Sequence, residues 1–583
     1  MMLVFPRTLA RPLILFIAIA AVVAAAGPGA YASGESPRAS VPTSSGAEDD
    51  LSRTGEAAGG GAPENAFSRA REAAAADRHL DAIRFYLEAI GLEPGLQTTV
   101  ALELGHQYTW AEKPDSAIIW YSRYLADHPG DMEASLGIAR ALSWAGKLDQ
   151  AEARYLELLP ESENDWPDVQ LGLAKVKAWQ EDRGSAEKIY EEVLDRDPDN
   201  TDARLGLVEV MNWSGQHRRA RELCEEVLED DPGNRDATRE LSEALYGMGR
   251  GDLAMDVIEE AEPNDELDKI AAAMRSSREP NATATYSYTK NTDDGIFRSA
   301  VFSATVPVSY RTELGGAYLR GVLHKQGLSD VTRDQFWLSL EHRFSETLAV
   351  TIRPGVELNR FAPVIVPPAA DAIDDFDLFV WDTYITVTPR DWMRFDAGSF
   401  RETMKIHEPL FRRIRVTTEN LGLDWRLTHR IATFWQVRYS SYSDGNSRFA
   451  ALQRGEWNPP VRLPYDDFHQ IVLIEGIDYF DFSKELSNGY FNPSSYAHPY
   501  LGLRFVTDID RRLRLGLEGQ FGAEWDSGLG WASIGSFDGY LRGHVGGGVY
   551  FTAGYYNSGS RLTSPDGFRS EGVYATLDLS KAR

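Results

Sequence analysis

Ala82, Ala117, Ala151, Ala186, Ala220 and Ala254 recur at intervals of 34 or 35 residues, and few folds accommodate so regular a period. A repeat of that length marks one supersecondary unit used again and again, because a single unit cannot bury its apolar face without its neighbours. Four residues after the successive alanines, one helical turn on, stand Tyr86, Tyr121, Tyr155, Tyr190, Cys224 and Ile258, and twelve after four of them come Pro94, Pro129, Pro198 and Pro232. The small residue lets two helices approach and the proline ends the second. The period therefore predicts six stacked helix pairs over residues 64–275. Four units add a tryptophan seven residues ahead of the alanine: Trp110, Trp144, Trp179 and Trp213. Packing between helices is the role expected of them, with a ladder of aromatic platforms for sugar rings as the alternative.

This unit resembles the tetratricopeptide repeat. Such an array implies an extended concave surface that grips a partner or a polymer. Ahead of it, Arg7 and Arg11 precede an apolar run from Leu13 to Ala26 and the small-x-small site Ala30 to Ala32. The run is too short to span a bilayer as a helix, so residues 1–32 read as a secretory signal peptide. Residues 33–63 are Ser, Gly, Pro, Ala and acid with almost nothing large to bury, and read as a flexible linker. The lone Cys224 excludes an intrachain disulfide. Of the net charge of −28, nearly all falls before residue 281. That imbalance argues for two domains with different tasks and against nucleic acid as a partner, since phosphate recognition needs a basic face.

From residue 276 to 583 the period changes to two. In "RRLRLGLEGQFGAEWD", Leu513, Leu515, Leu517, Phe521, Ala523 and Trp525 alternate with Arg512, Arg514, Glu518, Gln520, Glu524 and Asp526, as in a strand with two opposed faces. "QFWLSLEHRF", "NLGLDWRL" and "GVYATLDLS" do the same, and "NTDDG", "SDGN" and "SPDG" supply turns between such segments. About 14 to 16 strands of about ten residues follow from this pattern, the length a tilted strand needs to cross a bilayer. A soluble sandwich would bury the leucine face against a second sheet. The export signal, the absence of disulfides and the strand length favour an antiparallel transmembrane β-barrel of 16 strands, leucines toward lipid and charges toward a lumen. By parity the lumen-lining candidates are Trp337, Glu341, Arg343, Asp424, Arg426, Arg514, Glu518 and Glu524; the plainer reading of these is a network that stiffens the wall. The segments from Ala362 to Asp375 and "LQRGEWNPPVRLPYDDF" are read as extracellular-type loops that gate or plug the barrel, or simply connect strands.

Repeats with "LG(L/I)A…W" units followed by a barrel resemble the outer-membrane exopolysaccharide export family, which includes the poly-N-acetylglucosamine porin, the cellulose-export subunit and YaiO-type barrels. "NGYFNPSSYAHPYLGLRF" is similar to that family's Gly-Tyr-Phe-x-Pro segment, here Gly489, Tyr490, Phe491, Asn492 and Pro493. The resemblance implies export of a polysaccharide chain through an outer-membrane barrel in a Gram-negative-type bacterium. Its implied partners are outer-membrane lipid, the polymer, and periplasmic or inner-membrane synthesis and modification proteins held by periplasmic repeats. The acidic repeats could attract a cationic glycan or its processing enzyme, although a solvated acidic face needs no such role. The alternative function is a barrel that only anchors the repeats as a scaffold for an envelope complex. No cofactor or metal site is called for: His407-Glu408 lacks the second histidine of a zinc-protease motif, and no phosphate loop or G-x-S-x-G occurs. A Ser-His pair assembled at a lumen or rim from distant positions is a further alternative that spacing cannot address.

Overall fold

The computed structural model describes residues 63–580 apart from 160–165, 292–294, 327–329, 363–374, 405–408, 460–468, 488–489, 561–567 and the single positions 411, 429, 511, 529 and 547. The expected signal peptide and all but the last residue of the linker lie outside the described residues. Thirteen α-helices among the described residues precede sixteen β-strands. The chain forms two compact units, one holding residues 33–244 and the other containing residues 245–583.

In the first unit the helices run in pairs. The first helices of successive repeats include α3 (Ala101–Trp110), α5 (Met132–Trp144), α7 (Trp166–Trp179) and α9 (Thr201–Trp213). Their partners are α4 (Pro114–Asp127), α6 (Leu148–Leu158), α8 (Arg183–Arg196) and α10 (His217–Asp230). Helix starts follow local chemistry: Asp131 and Asn200 accept hydrogen bonds from the amides of Ala134 and Ala203, and Pro114 opens α4. All six periodic alanines are fully buried. The glycine of each "LG" unit has an equally definite cause, because a β-carbon at Gly105 or Gly137 would fall 2.5 or 2.6 Å from the ring of Tyr121. Tyr121 thus fills the notch between consecutive first helices. Trp110, Trp144 and Trp213 depart from the packing role: they are 56%, 46% and 39% exposed, while Trp179 is half-buried.

In the second unit, α12 (Gly251–Glu260) and α13 (Asp265–Ser276) lead into sixteen antiparallel strands in up-and-down order. β1 (Asn281–Asn291) pairs with β2 (Gly295–Ser309) on one side and with β16 (Phe568–Ser580) on the other. The ring is closed, so the sandwich alternative falls. Registers are regular along the strands, with shifts among the described residues only near Ser309, Arg390, Asp510 and Gly546, beside the turns. Leu338, Leu421, Leu501 and Phe521 stand 63–70% exposed on the outer wall, where a soluble protein would not leave them in number. The leucines of β13 (Leu513–Asp526) point outward and Arg514, Glu518 and Gln520 inward, which answers which face meets water. Among the described residues no helix is long and apolar enough to cross a membrane; a closed barrel with this outer wall fits an outer-membrane protein.

The last helix pair is tied to this barrel by charge. Asp252, on α12, is hydrogen-bonded by Arg250 at 3.0 Å and by Arg311 Nε at 2.9 Å, the latter from the turn after β2. Burial opposes ionisation of Asp252, but the hydrogen bonds from Arg250 and Arg311 outweigh it and bring the carboxyl down to about 2.

Candidate functional site: the barrel lumen

The site is built by strand alternation, since every second residue of all sixteen strands faces one enclosed space. At the end of the barrel that carries the β2–β3 turn, β3 (Thr312–Lys325), β4 (Val331–Arg343), β5 (Leu348–Phe361) and β6 (Phe376–Arg390) border a cavity of about 320 Å³. Trp337, Glu313, Glu341, Arg353 and Asp382 line it, with Ser303, Ser339 and Thr351 supplying hydroxyls. Glu313 sits directly opposite Glu341 in the β3–β4 register, and Arg353 donates to Asp382 at 3.0 Å. The cavity offers one aromatic face among hydrogen-bonding groups of both signs.

Further round the ring lies a four-membered charge square. Arg504 Nε on β12 (Tyr496–Asp510) donates to Glu518 at 2.7 Å and its Nη2 to Glu456 at 3.1 Å; Arg454 on β10 (Ser447–Trp457) donates to Glu456 at 2.9 Å and to Glu518 at 3.2 Å. β10 and β13 are separated by two strands, so Arg454 reaches Glu518 only by crossing lumen space. Each charge has two partners of opposite sign, so the square leaves little net field around it.

The opposite end is filled. Between β7 (Met393–Thr403) and β8 (Arg415–Arg426), the described Leu410 is fully buried in a cluster with Leu323 and Val331, and Ile414 in one with Val416, Tyr442, Phe482 and Tyr490. The two clusters lie on separated strands of the ring, so Leu410 and Ile414 occupy lumen space at this end. Arg333, 1% exposed, donates to Met404 O at 3.0 Å and Thr403 Oγ1 at 2.8 Å while its Nε lies 3.4 Å from Glu357. Asn359 also donates to Glu357, at 2.8 Å. A buried ion pair satisfied on all sides in this way costs little, whereas removing one member would leave a bare charge.

Of the Gly-Tyr-Phe-x-Pro segment, Gly489 lies outside the described residues, and the rest lines this same mouth. Tyr490 stacks on Tyr442 at 5.4 Å and donates to Asp444 at 2.9 Å; Phe491 meets Phe480 and Tyr496 edge-on; Asn492 donates to Leu486 O at 2.9 Å; and Pro493 O accepts from the amide of Phe482. The lumen candidates divide. Trp337 and Glu341 border the cavity, Glu518 belongs to the charge square, and Arg514 pairs with Asp508 at 2.6 Å near the β12–β13 turn. Asp424 and Arg426 take the inward parity near the helix-side end, Asp424 opposite Arg394. Glu524 is a correction: it is 2% exposed, with Tyr496 3.5 Å from it, and lines no open space. Arg343 packs against Gly249 ahead of α12, its Nε 2.7 Å from where a β-carbon would stand.

The two expected gating loops are also corrected. They leave opposite ends of the barrel, so they cannot both be extracellular; Leu452–Trp457 form part of β10, and residues 363–374 and 460–468 lie outside the described residues. The β7–β8 segment escapes a reading by period because Leu410, between Pro409 and Phe411, and Ile414, between Arg413 and Arg415, extend no helical or strand pattern.

With this geometry established, comparisons with known proteins place the chain. The tetratricopeptide-repeat family matches residues 111–176, 180–224 and 213–277. The chain carries tetratricopeptide repeats followed by a closed barrel of sixteen strands, a combination that resembles the exopolysaccharide export family. Cellulose synthase operon protein C of Pseudomonas fluorescens (strain SBW25) is 29% identical over 143 residues, 23% of this chain. The match spans only 11% of that relative's length. Among solved structures, a bacterial polysaccharide outer membrane secretin aligns over 52% of this chain and 98% of its own with a TM-score of 0.42 and 11% identity. CdiB from Acinetobacter baumannii aligns over 52% and 60% with a TM-score of 0.37 and 10% identity.

Proposed function

We propose that this protein exports an exopolysaccharide, of the poly-N-acetylglucosamine or cellulose-like kind, through its barrel in the outer membrane, with the repeats in the periplasm recruiting the polymer or its processing enzymes. The observation that carries this reading is a closed barrel of sixteen strands whose inner wall alternates hydroxyls with internally paired charges. A barrel of that size has room for a water-filled path, where eight strands would be filled by their own side chains. A hydrated glycan slides best along many exchangeable hydrogen bonds and no deep well, and the Arg454–Glu456–Arg504–Glu518 square supplies such a surface. The name of the Pseudomonas fluorescens relative, a cellulose synthase operon protein, agrees with a polymer of this class. In this reading Trp337, Glu341, Asp424, Arg426, Arg514 and Glu518 line the path, Tyr490 to Pro493 shape its outer mouth, and no bond is made or broken.

One observation favours the second reading, a barrel that only anchors a repeat scaffold: Leu410 is buried inside the barrel against Leu323 and Val331 and takes up lumen space. Single-channel recording in planar bilayers decides between them. Export predicts a low basal conductance that rises severalfold in Leu410→Asp, as the apolar anchor is lost; an anchor predicts none in either protein.

A further inference from the structure

The four periodic tryptophans have no part in the lumen, and the alanine beat explains packing without them. Each is the last residue of the first helix of its repeat: α3, α5, α7 and α9 end at Trp110, Trp144, Trp179 and Trp213. Two residues later the chain turns through a left-handed residue, Glu112 at φ 57°, Gly146 at 71°, Glu181 at 62° and Gly215 at 73°. Two of the four are not glycine, so the same strained cap is kept even where it carries a steric cost. The cap places each indole at an equivalent point of its repeat. First helices of successive repeats touch one another, and packed helices lie about 8–10 Å apart. The rings therefore recur once per repeat along the array.

Burial places three of these rings outside the core and leaves Trp179 half-buried. Trp120, in the second helix of its pair, is 3% exposed, whereas Trp110, Trp144 and Trp213 are 56%, 46% and 39% exposed. A protein-binding surface would gather its aromatics into one contiguous, desolvated patch. Here they are one to a repeat, with polar groups beside them: the His79 and His106 rings lie 5.4 and 5.7 Å from the Trp110 ring, and Lys175 Nζ lies 5.8 Å from that of Trp179. An apolar face flanked by hydrogen-bonding groups matches a pyranose ring, which has C–H groups on its faces and hydroxyls at its edge. Because an extended β-linked chain presents the same ring orientation at every second sugar, it meets a periodic row better than a globular ligand does.

We infer that the row Trp110, Trp144, Trp179 and Trp213 is a binding track for a β-linked polysaccharide chain, each indole carrying one sugar ring. The inference rests on the export reading for the identity of the cargo and adds where the polymer is held before it enters the barrel.

Isothermal titration of the full-length protein in detergent with cellohexaose and with the β-linked hexamer of N-acetylglucosamine tests it, with maltohexaose as the α-linked control. At least one β-linked hexamer should bind, and each single Trp→Ala change should weaken binding about 3- to 10-fold. Trp→Phe should restore most of the loss. Trp→Ala changes at exposed helix ends should leave the helical circular dichroism unchanged, which separates lost binding from lost folding. The inference is overturned if neither β-linked hexamer binds, if maltohexaose binds as well as they do, or if the fourfold Trp→Ala protein binds like the parent. Conductance and polymer passage in the same fourfold variant keep the two readings apart. A conducting barrel with no tryptophan-dependent binding removes the track alone; tryptophan-dependent binding beside a barrel that passes no polymer removes the export reading alone.

Discussion

The two units of this chain invert each other. In the repeats, alanine and tyrosine are buried in the middle while charge covers the outside; in the barrel, leucine and phenylalanine cover the outside while charge fills the middle. Both arrangements obey one rule, that apolar surface goes wherever water is absent. What differs is the location of the dry phase, inside the protein for one unit and around it for the other. A helix hides its backbone polar groups by itself, so the repeats can remain an open array. A sheet does so only when it has no edge, and for that reason β1 must meet β16.

The sharpest way to break the comparison is to truncate an equivalent-looking aromatic in each unit. Tyr190 is 3% exposed and its ring abuts Gly206, so Tyr190→Ala should destabilise the repeats by about 3–5 kcal/mol; Phe521→Ala on the outer wall of the barrel should cost far less in detergent. Thermal unfolding followed by circular dichroism measures both, and equal losses would contradict an outer phase that is apolar. Next in size is Leu501→Arg on the outer wall, expected to cost about 2–4 kcal/mol in a bilayer. Leu80→Arg on the exposed surface of the repeats should stay within about 0.5 kcal/mol. Urea unfolding from vesicles reads the first and urea unfolding in detergent the second.

A smaller effect is pH-dependent. Glu240 is buried, which pushes its carboxyl up to about 7 despite the adjacent Arg239 and the hydrogen bond from Asn212. The folded state therefore binds its proton more tightly than the unfolded chain does. Stability from this group is complete below about pH 4 and is lost as pH rises toward 7. Glu240→Gln should make little difference at pH 4 and stabilise the repeats by roughly 1–3 kcal/mol at pH 8, as denaturant midpoints at the two values would show; a gain of equal size at both would refute the assignment. Smallest is Asp252→Asn, which weakens a partly exposed ion pair and should lower the barrel unit's stability by about 1 kcal/mol or less. The parent should lose the same interaction only as pH falls through about 2, the opposite direction to Glu240.

Much of this was legible in the residues, for reasons of period. The alanine beat encodes helix contacts that repeat identically, and all six alanines are buried. The strand alternation encodes a two-faced wall, and sixteen strands result. Period carries no information about single contacts, however. It gave Glu524 the inward parity yet could not show that Tyr496 stands beside it and that the carboxylate is buried, and it found Trp110 and Trp144 without revealing that they face solvent. Leu410 had no period at all, and only its burial against Leu323 and Val331 gives it a place. The "LG" glycines fell between these cases: the motif was visible, but its cause, the ring of Tyr121 lodged between two helices, needed coordinates.

The hydrogen-bonded seam between the first and last strands has a consequence for biogenesis. Thr285 and Thr576 are 3.0 Å apart there although 291 positions separate them along the chain. No partial product can seal, since the ring stays ajar until the final strand arrives, and a nascent sheet with two raw margins would invite its neighbours to add on. A chain that ended short of β16 would keep two unpaired strand margins, the feature that lets sheets add to one another.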